Sequence, residues 1–482
     1  MKKILILILV LLGIVPTGMF AGRQFSFNKD GKFKIVQFTD IHWMPNSPKC
    51  AETTATIQAV LKAENPDFAI LTGDVVTYDP ALKGWKAIVK IFEDAKMPFT
   101  VTMGNHDAEY LTKDVIYDFL MKSPYYVGDK GPKEIMGCGN CAIPVYDSKG
   151  KNKVEAVLYS MDSNDYKPVN KYGEYDWIHF DEIEWYRNQS AQFTRNNGGK
   201  PVPSLMFFHI PLMEYKNIIG RDTTVGTDGE GIAGADINSG MFASLVDMQD
   251  VMGVFVGHDH DNDFVGMEYG ITLGFGRVTG ADAYGELQRG ARIIELREGK
   301  HRFDTWVRTP SGREFTYYYP SELTSTEEET MTYLPAKNVN PKEHGVAYTY
   351  YEGKCKHTDQ IASCKKVKEG TMKNFSIKEA PVEDHFAYDF RTLVKIPEKG
   401  VYRFYTFSDD GSRLFIDGQE VVDNDGGHSA RRAGGKIALD AGYHELRVLY
   451  FEDYMGQALE VSFSGREIME TLLPDDMLYL PK

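Results

Sequence analysis

A chain of 482 residues, 42% hydrophobic and 26% charged, is too long for one ordinary core and too apolar to be disordered, so two or more folded domains are expected. Its 54 Lys and Arg against 69 Asp and Glu leave a formal charge of −15, and the one basic run, Lys365-Lys366-Val367-Lys368, is too short for a phosphate-backbone footprint. A nucleic-acid scaffold is excluded on that ground.

In chain order, Lys2 and Lys3 precede an apolar stretch from Ile4 to Val15 that is too short to cross a bilayer, with small residues at Gly18 and Ala21. Residues 1–21 read as a secretory signal peptide, with an uncleaved N-terminal anchor as the alternative. No later segment reads as membrane-spanning, so the expected location is exported: periplasmic, extracellular or cell-surface.

From residue 22 to about 310, short apolar strands at 33–38, 68–71, 99–103, 205–208, 254–256 and 271–275 alternate with helical patterns at 51–64, 80–95, 181–196 and 239–249. Asn65-Pro66 stops the first helix, and Pro98 lies just beyond the second. This βαβα alternation predicts a layered α/β domain. Residues 311–340, with Tyr317-Tyr318-Tyr319-Pro320 and then Glu327-Glu328-Glu329, read as a linker whose tyrosines call for something to pack on. Over 341–482 the helical period vanishes, and turns at Ser408-Asp409-Asp410-Gly411, Asp417-Gly418 and Asp425-Gly426-Gly427 divide short alternating strands, the pattern of an all-β sandwich or barrel. Cys138 with Cys141, and Cys355 with Cys364, suggest two local disulfides that leave Cys50 over. The Cys138/Cys141 pair could instead bind zinc or do redox chemistry, but nothing nearby completes a tetrahedral site.

Five motifs carry chemistry: Asp40-Ile41-His42, Gly73-Asp74, Gly104-Asn105-His106-Asp107, His209, and Gly257-His258-Asp259-His260. Each alone has a bland reading, as a turn, a loop start or a satisfied core histidine. Together they end successive strands, where an open α/β sheet keeps its chemistry. Asp and His suit zinc, iron or manganese, and a carboxylate such as that of Asp74 can bridge two ions. Two such ions about 3.5–4 Å apart lower the pKa of bound water and clamp a phosphoryl group for in-line displacement.

The ordered set resembles the calcineurin-like metallophosphoesterase superfamily over about residues 31–300. The resemblance implies a layered αββα domain with one ion (Fe, Zn or Mn) on Asp40, His42, Asp74 and His260 and a second on Asp74, Asn105, His209 and His258. It implies attack on phosphorus by a metal-bridging hydroxide, with Asn105 and His209 orienting the phosphoryl group and His106 protonating the leaving group or holding the phosphate. Purple acid phosphatases place a metal-binding tyrosine on a ligand strand; none of the five motifs offers one, so a tyrosinate-ligated iron is not expected. Thr77 stands where some branches carry an acidic residue behind the acid histidine, leaving Asp107 as a candidate for that support. Arg277, just after the strand at 271–275, is a candidate substrate contact or else a salt bridge. The loop at 220–238 reads as a substrate lid or a surface loop.

The segments Gly345–Gly353 and Phe407–Gly418, together with Gly442-Tyr443-His444, resemble the PA14 domain over about 345–473. That resemblance implies a β-sandwich, and in some members a calcium that binds glycan. Asp409 and Asp410 match the calcium pair and Asn424 and Asp425 could add oxygens, although Asp-Asp-Gly also makes a plain tight turn. The combined expectation is a secreted binuclear phosphoesterase acting on phosphomonoesters or phosphodiesters, with a PA14 module for glycan or partner binding. The alternative is a glycan-binding surface protein whose α/β domain is catalytically silent.

Overall fold

Two seven-stranded sheets stack face to face between residues 25 and 324 in the computed structural model, which describes residues 24–167 and 172–481. The signal peptide expected at 1–21 lies outside the described residues. Among them no helix is long and apolar enough to cross a membrane.

One sheet holds Lys32–Phe38, Phe68–Thr72 and Phe99–Thr102 as parallel neighbours, the other Val154–Ser160, Ser204–Phe207, Val251–Val256 and Ile271–Phe275. Period-two alternation explains the layering. Phe33, Ile35, Phe68 and Ile70 face Leu158, Leu205, Phe207 and Phe255 across the gap between sheets. Val36, Phe38, Ala69 and Leu71 face outward, under helices Cys50–Glu64, Ala81–Asp94 and Lys113–Leu120. Helices Phe180–Asn196 and Met241–Met248 cover the other sheet through Ile183, Tyr186, Phe242 and Leu245. The layers are α, β, β, α, as expected.

The helix stop at Asn65 is seen directly: Asn65 takes a left-handed φ of 45° and donates its N–H to Leu61 O at 2.9 Å before Pro66 breaks the pattern. Helix Lys113–Leu120 escaped the sequence reading because eight residues give only two turns of periodicity; Thr112 caps it by accepting from Val115 N. The expected linker at 311–340 is corrected in part. Strand Gly312–Tyr319 pairs with Phe303–Thr309 and strand Leu323–Thr324 pairs in turn with it, so the α/β sheet runs to residue 324. Tyr317, Tyr318 and Tyr319 are buried there, which explains the tyrosine run.

Residues 346–479 form two antiparallel sheets over one core that includes Tyr348, Phe390, Phe404, Leu414, Val448 and Phe463. The two halves of the chain pack together: Tyr318 and Leu323 share a cluster with Val401 and Ala438, Arg403 pairs with Glu322 at 2.8 Å, and Arg302 pairs with Glu467.

Candidate metal centre

All five sequence motifs meet at one edge of the sandwich. Phe38 pairs with Leu71 and Leu71 with Val101, so Asp40, Asp74 and Asn105 leave three adjacent parallel strands at the same level. Phe207 pairs with Phe255, which delivers His209 and His258 from the facing sheet. The approach is too close for larger residues at two glycines. A Cβ on Gly73, whose φ is +84°, would lie 2.4 Å from His209 Nδ1, and one on Gly104 would lie 2.2 Å from Asp74 Oδ1.

Two clusters result. The ligand atoms of Asp40, His42 and His260 lie within 4.8 Å of one another, as do those of Asp74, His209 and His258. Asp74 joins them, 3.5 Å from His42 Nε2 and 3.3 Å from His209 Nε2. His260 Nε2 lies 3.3 Å from Asp40. Asp40, His42, Asp74 and His258 all take positive φ, of 50°, 43°, 49° and 81°. Such backbone costs on the order of 1–3 kcal/mol per residue and concentrates at functional sites.

The residues fit a pair of cations. His42 Nε2 faces His260 Nε2 at 3.1 Å and His258 Nδ1 faces His209 Nε2 at 3.3 Å, so ring nitrogens converge pairwise. Asn105 Oδ1 is buried without any hydrogen-bond partner. Burial pushes the His42 imidazole down to about 4 and that of His258 to about 3, keeping both neutral as ligation requires. Burial works against Asp40 and Asp74 too, but His260 holds Asp40 at about 2, and His209 with His42 holds Asp74 well below the carboxylate range. Against burial, Asp74 lifts His209 to about 10, a proton that a bound cation would displace. Imidazole, carboxylate and amide oxygen together suit iron, zinc or manganese.

His106 stands at the mouth of the centre. Its Nδ1 lies 2.6 Å from Glu109 Oε1 and its Nε2 lies 3.3 Å from the Tyr166 hydroxyl, which itself accepts from Asn105 Nδ2 at 2.7 Å. The supporting carboxylate is therefore Glu109. Asp107, the sequence candidate, turns inward and accepts from Val75 N, Val76 N and Gly104 N at 2.8–3.0 Å, tying the Asp74 loop to the Asn105 loop. Glu109 could have been found from its spacing of three after His106. Tyr175 and Tyr284, which border the His258 and His260 rings, and Tyr166, beside His106, carry no local signal.

Arg277 is corrected as a substrate contact. It is 3% exposed, donates Nε to Asp263 at 2.8 Å and Nη1 to Gln288 O at 2.9 Å, and pairs with Glu314, so its guanidinium is spent inside the fold. The loop at 220–238 is a braced rim: Val225 bridges Val265, Asp228 bridges Asn262, and Glu230 accepts from Asp261 N at 2.7 Å.

A third cluster lies in the C-terminal sandwich, where Asp409, Asp410 and Glu452 bring carboxylate oxygens within 4.8 Å of one another. Asn424 and Asp425 stay out of it. The Asn424 amide is tied to Arg431 and Ser408, and Asp425 accepts from Thr358 N. All five cysteines are free thiols; Cys355 and Cys364 sit Sγ to Sγ at 2.8 Å, whereas Cys138 packs under the helices and Cys141 between the sheets. Among the described residues no disulfide joins Cys138 to Cys141 or Cys355 to Cys364, against the two local pairs expected from the sequence.

Two family matches cover these regions: calcineurin-like phosphoesterase over residues 33–262 and PA14 domain over residues 342–476. The chain is 33% identical over 317 residues to a protein named probable inactive purple acid phosphatase 29 of Arabidopsis thaliana, covering 59% of this chain and 82% of that one. It is 28% identical over 360 residues to the phosphatase DCR2 of Saccharomyces cerevisiae, covering 66% and 60%. Among solved structures, a dimetal phosphatase from Danio rerio overlaps 59% of this chain and 98% of that one, at 12% identity and a TM-score of 0.42.

Proposed function

This chain belongs to the calcineurin-like phosphoesterase family and carries a PA14 domain, and from that premise we propose that it is an exported binuclear metal-dependent phosphoesterase. The observation that supports this most is the completeness of the ligand set: seven side chains from two sheets converge with an orphaned amide oxygen among them. Asp40, His42, Asp74 and His260 would hold one ion, and Asp74, Asn105, His209 and His258 the other. Bound there, the ions would activate water and draw charge from the phosphoryl oxygens.

The protein's own groups do the rest. Asn105 donates Nδ2 to the Tyr166 hydroxyl, which leaves its buried Oδ1 free to take a cation. Glu109 accepts from His106 Nδ1, so His106 as the imidazolium would carry its second proton on Nε2, from which it can pass to a departing oxygen. In the PA14 domain, Asp409, Asp410 and Glu452 are proposed to hold calcium, and Tyr454, 66% exposed just past Glu452, offers a ring to a glycan.

The name of the Arabidopsis relative favours a second reading, a surface glycan-binding protein with a silent α/β domain. Hydrolysis of p-nitrophenyl phosphate and bis-p-nitrophenyl phosphate by metal-loaded protein separates the two. The enzyme reading expects turnover that Asp74→Asn abolishes together with metal loading and that His106→Ala weakens with metal retained. No turnover of either ester with iron, zinc or manganese rejects it.

A further inference from the structure

The open face of the metal centre is walled by tyrosines. Two short antiparallel segments, tied by Lys167 N to Glu174 O and Asp176 N to Asp165 O at 2.8 Å each, bring Tyr166 and Tyr175 over the Asn105 and His258 half. Their rings stack at 5.6 Å, and Tyr175 meets His258 edge-on at 4.7 Å. On the other half Tyr284 lies flat on His260 with centroids 3.8 Å apart; it is 56% exposed, so its second face is open.

Three described carboxylates stand by these rings, and Arg289, the cation beside Tyr284, donates to the Ala283, Tyr284 and Leu287 carbonyls. Glu109 sits on His106, Glu230 accepts from the Tyr284 hydroxyl at 3.1 Å, and Glu174 lies beside Tyr175. Among the described residues none of the three has a Lys or Arg partner. Of the described lysines nearby, Lys113 pairs with Asp162 and Asp165 at 2.9 and 3.0 Å, and Lys167 pairs with Asp176 at 2.5 Å while lying over Trp177. No described Lys or Arg side chain hydrogen-bonds to a proposed metal ligand.

A substrate with several phosphates would need cations beyond the metal pair, and the rim would repel it. A neutral ring would stack on the tyrosines but leave three carboxylates uncompensated. An alkylammonium group satisfies both features, since tyrosine faces attract a cation and carboxylates balance it. Resting on the phosphoesterase reading above, we propose that this site selects an ester with a single phosphate whose alcohol bears an alkylammonium group.

The test pairs phosphocholine with 3,3-dimethylbutyl phosphate, the same shape with carbon in place of the charged nitrogen. The expected kcat/KM ratio is about tenfold in favour of phosphocholine, falling to about twofold or less in Tyr284→Leu and in Glu230→Gln. Because it is a ratio, it does not move with the fraction of metal-loaded protein. Calorimetry on metal-free protein should show choline binding more tightly than 3,3-dimethylbutanol. Phosphatidylcholine vesicles run beside free phosphocholine tell a lipid headgroup from a soluble ester. A wild-type ratio near one, or equal binding of the two alcohols, in protein that turns over p-nitrophenyl phosphate overturns this inference alone. Failure on every ester, p-nitrophenyl phosphate included, overturns the phosphoesterase reading and this inference with it.

Discussion

Among the described residues, ligand atoms gather at the sheet edge and in the C-terminal sandwich, and the two places are balanced in opposite ways. At the sheet edge, carboxylates alternate with imidazoles, so Asp40 and Asp74 stay ionised against His260 and a protonated His209. In the C-terminal sandwich three carboxylates meet with no basic residue in their group, and burial, aided by Asp410 and Asp409, pushes Glu452 up to about 8. Glu452 Oε1 is left without a hydrogen-bond partner. The second place has no cationic side chain in its group, and its carboxylates are held by neutral donors: Asp410 accepts from His428 N and Asp453 N at 2.9 Å each, and Asp409 from Ala430 N at 3.0 Å.

Substitution at each cluster should therefore differ in kind. Asp74→Asn removes the carboxylate both halves share, and turnover should fall by at least about 10³ with metal content dropping in parallel. Full metal occupancy in that variant, read by elemental analysis, would break the assignment of Asp74 as the bridge. Next in size is Glu109→Gln, which leaves every proposed ligand intact. Turnover of an ester with a poor leaving group such as an alkyl phosphate should fall by about 10²-fold, and that of p-nitrophenyl phosphate far less, because nitrophenolate departs without a proton. Equal losses on both esters would remove Glu109 from leaving-group chemistry. At the other cluster, calcium should raise the thermal midpoint of the C-terminal transition. A hundredfold excess over Kd contributes roughly 2.7 kcal/mol of stability. Glu452→Gln should erase that response without altering esterase turnover.

Legibility followed the same division. The convergence of the candidate ligands was readable because each follows the end of a strand and those strands are parallel, so sequence order maps onto spatial order along the sheet edge. Period-two burial at Phe33, Ile35, Val36 and Phe38 made the layers legible as well. What stayed hidden lies where partners come from distant segments. Tyr166 and Tyr284 reach the centre from loops with no periodicity, and Glu452 meets Asp409 from a strand more than forty residues away. Arg277 was misplaced because position after a strand says where a residue begins, whereas burial against Asp263 decides where its guanidinium ends.

The smallest expected effect sharpens the comparison from outside both clusters. Glu182 is a buried carboxyl of the α/β half, accepting from His179 N at 2.8 Å and from Asn164 and Asn140 at 2.9 and 3.2 Å, and burial nonetheless pushes it up to about 8. Its folded pKa lies above the unfolded value of about 4.5, so the folded state holds the proton more tightly. The stabilisation from that proton is fully present below about pH 4.5 and is lost as pH rises through about 8. Glu182→Gln keeps an amide in place of the acid and should flatten this part of the stability profile of the α/β half, while the calcium response of the C-terminal half stays as in the parent. Denaturant unfolding at pH 5, 7 and 9 reads it: a parent profile that stays flat over that window, or a variant that keeps the parent's slope, would show that the Asn140 and Asn164 amides already hold the carboxylate as an anion, as His209 holds Asp74.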